Sequence, residues 1–172
     1  MTRTAFALLL VLVAGCSACA APTAERWERE QLEVCRHGEP YGGTVDALDV
    51  WRLPDVPPLF AGSRCDIDIT VGDVGDQVAV TRTWKNEAGE IRFAMIVLSE
   101  RVPFGDPTAI VNADPDAGVF DEQSILVHEL GHALGLEDVE QPGGAMFHNI
   151  NRGEVRRRIT WDDARALMEL YE

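Results

Sequence analysis

Positive charge is scarce in this sequence. Fifteen lysines and arginines stand against 29 aspartates and glutamates in 172 residues, a net charge of −14. That excludes nucleic acid as a natural partner, because phosphate binding needs a basic patch. The acidity serves solubility, with a preference for basic substrates as the weaker second reading. Cysteine is sparse too: four residues, with no CxxC…CxxC spacing of the kind that builds a structural zinc site. Cys16 and Cys19 have CxxC spacing but fall near the N-terminus. No segment repeats, and no apolar run is long enough to cross a bilayer as a helix. Nearly half the residues are apolar, 46%, so the composition is not that of a disordered chain. The length suits one domain with a short appendage.

That appendage is N-terminal. Arg3 precedes an apolar run over residues 6–13, the pattern of an export signal. The run ends in Val13-Ala14-Gly15-Cys16, which resembles a bacterial lipobox. The resemblance implies cleavage before Cys16 and acylation of that cysteine, so that the protein lies on a membrane face without crossing it. An ordinary secretory signal with a coincidental cysteine is the other reading. Residues 1–15 are thus expected as a signal peptide, 16–24 as a tether and 25–172 as a single folded domain. Export places the domain in an oxidising compartment on a bacterial cell membrane, where Cys35 and Cys65 are the natural disulfide pair.

Charged residues 25–34 are compatible with a helix that turns Trp27 and Leu32 inward. Pro54, Pro57 and Pro58 break the region after Val50-Trp51-Arg52-Leu53. Asp66-Ile67-Asp68-Ile69-Thr70-Val71 alternates as a half-buried strand does. Residues 77–84 read as a second strand, 86–89 as a turn and 91–98 as a central strand. Three prolines mark 99–119 as loop. Asp121 can cap a helix over 122–134, which Gly135 ends. Gly143-Gly144 marks a tight turn. Thr160, with Asp163 three places later, opens a last helix bearing Ala164, Leu167, Met168 and Tyr171 at helical spacing. The expected fold is α/β of the α+β kind, a small mixed twisted sheet with two main helices.

The chemistry concentrates in His128-Glu129-Leu130-Gly131-His132. Histidines four apart share a helix face and can meet one ion. At about 100° per residue, Leu126, Leu130, Ala133 and Leu134 form one stripe with the histidines opposite it. Gly131 and Gly135 fall on the histidine side and are expected to leave open space there. Neutral imidazole suits Zn2+, and a catalytic zinc site keeps a position for water whose pKa the metal lowers. Glu129, beside a ligand, can act as general base. A bland alternative remains for these residues alone: a helix with two surface histidines and an acid.

The run continues Ala133-Leu134-Gly135-Leu136-Glu137-Asp138. It resembles the metzincin zinc peptidases, whose motif is HExxHxxGxxH, or HExxHxxGxxD in the snapalysin branch. The resemblance implies that the chain turns at Gly135 and returns Asp138 as third zinc ligand, with Glu137 as fallback. Gly144-Ala145-Met146-Phe147 looks like the family's methionine turn, with Met146 as an apolar floor; a core methionine in a tight turn is the alternative. Residues 159–171 resemble the closing helix of the matrixins. A three-histidine structural zinc site is missing, since only His37 and His148 lie outside the motif. His37 has no expected catalytic role. His148, two places after Met146, stands where some metzincins carry a transition-state tyrosine; it can do that work, line the pocket or lie at the surface.

The resemblance implies a zinc-dependent endopeptidase, expected to be a monomer, that cleaves a protein or peptide along an exposed sheet edge. Its mechanism would use metal-activated water with Glu129 as base. The rival is a catalytically weak or inactive surface lipoprotein that binds protein partners. An intact glutamate beside the histidines speaks against it.

Overall fold

Isoleucines at every second place put Ile67 and Ile69 into the core while Asp68 and Thr70 stay half-buried. In a computed structural model that describes residues 25–37, 44–106 and 118–172, this segment is strand β3 (Ile67–Gly72). Around it lie β1 (Leu32–Arg36), β2 (Leu59–Ala61), β4 (Ala79–Lys85) and β5 (Ile91–Ser99). They form a five-stranded sheet in the order β2-β1-β3-β5-β4. All neighbours are parallel except β4, which pairs antiparallel with β5, Thr81 opposite Ile96. Strand β5, expected at the centre, is an inner strand between β3 and β4, in keeping with its nearly unbroken apolar sequence, while β3 takes the middle place. The turn before it closes with the Gly89 amide donating to the Asn86 carbonyl, Gly89 at φ 83°. Strand β4 is an outer strand of the sheet.

Among the described residues three helices accompany the sheet in this mixed α/β domain: α1 (Thr44–Val50), α2 (Glu122–Ala133) and α3 (Trp161–Tyr171). Helix α2 packs against α1, β4 and β5. It is buried on nearly every side, including Ile125, Leu126, Val127 and Leu130. Two fully buried tryptophans anchor it through its own backbone. The Trp51 indole N–H donates to the Val127 carbonyl (2.9 Å) and that of Trp27 to the Ala133 carbonyl (2.8 Å). Each thereby satisfies its one polar atom inside the core. The Tyr171 hydroxyl, at the end of α3, donates to the Leu134 carbonyl (3.0 Å) just beyond α2. Burial pushes its pKa up to about 12.

Some expectations need correction. Residues 25–34 are not helical: residues 32–36 form β1, and Trp27 bridges to Ile91. Charge suggested helix, but the parallel partners β2 and β3 decide the conformation. Trp27 and Leu32 do point inward, at 2% and 0% exposure. Helix α1 and strand β2 have no counterpart among the expected elements, because seven and three residues carry little periodicity. Within the expected loop, Phe104–Gly105 (β6) pairs with Phe120–Asp121 (β7) in a small second sheet. The proposed signal, tether and Cys16 lie outside the described residues.

Candidate metal centre

Helix α2 begins where Asp121 accepts a hydrogen bond from the Ser124 amide (3.1 Å), an N-cap. It ends in a Schellman turn. The Gly135 amide donates to the His132 carbonyl and the Leu136 amide to the Gly131 carbonyl, both at 3.0 Å. Gly135 has φ 108°, which side chains disfavour. A Cβ there would also stand 2.2 Å from the Glu25 carbonyl oxygen. This turn brings the chain back over the last helical residues and delivers Asp138 to the histidines.

The Nε2 atoms of His128 and His132 are 3.1 Å apart. Asp138 Oδ1 lies 3.4 Å from each. Two ligands bound tetrahedrally at zinc distances stand about 3.3 Å from one another, so the spacing fits one ion. The tautomers fit as well. His128 Nδ1 lies 2.8 Å from the Ala145 carbonyl, and His132 Nδ1 2.8 Å from the Leu136 carbonyl. A carbonyl only accepts, so each Nδ1 carries a proton, which leaves Nε2 of each ring as the nitrogen that can ligate a metal. With the Asp138 carboxylate beside them, the two Nε2 atoms make a donor set that could hold one cation. Backbone carbonyls that orient ligating histidines in this way are a usual feature of metal sites. Glu137 lines the cleft without joining the ligand group.

The floor beneath the histidines is built from residues far along the chain. Met146, 1% exposed, sits against Gly131. A Cβ on Gly131 would meet Met146 Sδ at 2.3 Å and the Trp51 ring at 2.9 Å. The expected open space at Gly131 and Gly135 is therefore absent; both glycines are close-approach points. Asp163, the N3 residue of the α3 capping box, also receives the Ala145 amide (2.9 Å) and the Met146 amide (3.4 Å). One buried carboxylate thus caps a helix and holds the methionine turn. Arg156 ties the same turn from outside, donating to the Gly144 and Phe147 carbonyls at 3.0 and 3.1 Å.

Glu129 is 6% exposed and beside the ligands. Its Oε2 accepts a 2.6 Å hydrogen bond from the Thr81 hydroxyl on β4, a residue whose sequence context carried no signal. The cleft, about 530 Å³, is bordered by β4 and the site residues. His148 also lines it, half-exposed, with Nδ1 3.4 Å from the Val139 carbonyl. His37 lies elsewhere, its Nε2 3.0 Å from Asp68 Oδ1. Cys65 is close to that pair, but its sulfur is bound to Cys35 in a disulfide, Cα atoms 5.0 Å apart, and offers no thiolate.

A ligand cluster raised on one helix, a glycine turn and a methionine floor is what the metzincin class of metallopeptidases has in common. The Matrixin family model matches residues 23–172, and the chain belongs to that family. It is similar to matrix metalloproteinase-21 of Cynops pyrrhogaster, 28% identical over 106 residues. That match takes in 61% of this chain and 17% of the other protein. Matrixins are zinc enzymes, and the donor set here suits zinc.

Proposed function

We propose that the chain is a zinc-dependent endopeptidase, with His128, His132 and Asp138 as metal ligands and Glu129 as general base. The observation that carries this reading is the convergence of the two imidazole Nε2 atoms on one carboxylate oxygen. A bound zinc ion supplies Lewis acidity, polarising a carbonyl and lowering the pKa of water. Glu129 takes the proton of the attacking water and returns it to the leaving amine. A peptide substrate pairs with the outer edge of β4, a strand whose residues line the cleft. His148, which lines the cleft, donates a hydrogen bond to the developing oxyanion. Met146 keeps the floor apolar. Acylation at Cys16 holds the domain, as a monomer, on one face of a bacterial membrane.

Two substitutions three residues apart test the centre. Glu129→Gln keeps size and polarity but cannot take a proton; zinc content should match wild type while cleavage falls on the order of 10²- to 10⁴-fold. His132→Ala should lose zinc and activity together. Casein digestion with and without a chelator, plus elemental analysis, reads both. Wild-type cleavage by zinc-loaded Glu129→Gln would remove Glu129 from the mechanism. Zinc binding without cleavage of any protein would favour the partner-binding lipoprotein instead.

A further inference from the structure

Thr81 stands on β4, facing the cleft with Ala79 and Thr83. Its hydroxyl oxygen is 2.6 Å from Glu129 Oε2 and 3.1 Å from the Glu129 backbone carbonyl. A hydroxyl has one proton to give. The shorter contact, to a carboxylate oxygen, is the charge-assisted one, in the range of strong O–H···O⁻ bonds. The proton therefore points at Oε2. Glu129 is nearly enclosed, and its described side-chain hydrogen bonds consist of this one. One carboxylate oxygen is thus held, on a side chain that lines the cleft.

We infer that Thr81 is a positioning residue for Glu129, tying the base to the strand along which the substrate lies. The inference rests on Glu129 being the base. An unrestrained glutamate has three rotatable side-chain bonds, and a general base is effective only within hydrogen-bond reach of the proton it takes. The Thr81 hydroxyl removes most of that freedom from a rigid element, since Thr81 is itself paired in the β4–β5 ladder opposite Ile96. A peptide that adds to the outer edge of β4 also settles the strand carrying this hydroxyl. Substrate docking and base orientation then depend on the same seven residues.

Thr81→Val keeps shape and β-branching and removes the donor; Thr81→Ser keeps the donor and removes the branch. With a quenched fluorescent peptide selected from a mixed library, Thr81→Val should lower kcat on the order of 10- to 100-fold with KM nearly unchanged. Thr81→Ser should recover most of it, with zinc content at the wild-type level in both. A merely structural role predicts the reverse order, because valine is the better strand residue. A second readout needs no metal: in chemical unfolding of the metal-free protein, Thr81→Val should cost stability beside Glu129 and little beside Glu129→Ala. The proposal is overturned by wild-type kcat in Thr81→Val while Glu129→Gln is inactive, or by additive unfolding effects. Wild-type activity in Glu129→Gln overturns the base itself, and this inference with it.

Discussion

Gly131 and Gly135 both resist substitution, for different reasons. Gly135 is required by its backbone, which a positive φ and the Glu25 carbonyl leave to glycine alone. Gly131 has ordinary helical geometry, and an alanine would gain about 1 kcal/mol of helix propensity there. The gain is offset by overpacking, since the new methyl group meets the buried Met146 sulfur and the Trp51 ring. Overpacking of this kind costs about 1–3 kcal/mol. Gly131→Ala should therefore lower the unfolding free energy, measured by denaturant titration, rather than raise it. An increase would mean that Met146 moves aside freely. The sequence places Gly131 on the histidine face but says nothing of what lies opposite, because Trp51 and Met146 are 80 and 15 positions away. Thr81 is hidden for the same reason: a threonine in a strand is ordinary until a helix from later in the chain sets Glu129 against it.

Among the elements, α2 and α3 were legible because their signals are local. Caps lie within a few residues of the helices they start, and Gly135 directly follows the one it ends. Strands β3 and β5 were legible from alternation and from continuous apolarity. Helix α1 and strand β1 were not, because tertiary packing holds them: α1 leans on α2, and β1 is closed on both sides by parallel strands. Asp163 joins two elements in a way its capping pattern only half reveals. Asp163→Ala removes the N3 half of the capping box and leaves the Ala145 and Met146 amides without their acceptor. The expected loss is on the order of 2–4 kcal/mol, a fall in Tm of roughly 5–15 °C. Since Ala145 orients His128, zinc affinity should fall as well, measured by competition with a chromophoric chelator. Unchanged zinc affinity in a destabilised variant would separate the turn from the metal centre.

At the scale of the whole molecule the charge of −14 acts at the cleft as well as on solubility. Glu25, Asp76, Glu137 and Asp138 border it together with Glu129. A cationic peptide should be drawn in and an anionic one repelled, with both effects screened by salt. Raising ionic strength from about 0.05 to about 0.5 M shortens the screening length about threefold. The ratio of kcat/KM for a lysine-rich peptide to that for a glutamate-rich one should fall accordingly. A ratio that does not move with salt would leave the acidity to solubility alone.

The sequence by itself determined the donor types and their order: two imidazoles on one helix face, a glutamate between them, a glycine that must turn the chain, and a carboxylate three residues on. These follow from helical periodicity and backbone sterics, which act over a few residues. The tertiary structure alone decided which carbonyls orient the two imidazoles, what fills the space at Gly131, which sheet edge borders the cleft and which hydroxyl contacts Glu129. Each of those depends on groups brought together from distant parts of the chain by burial of the common core, and burial is non-directional. No local pattern encodes which residues it will set side by side.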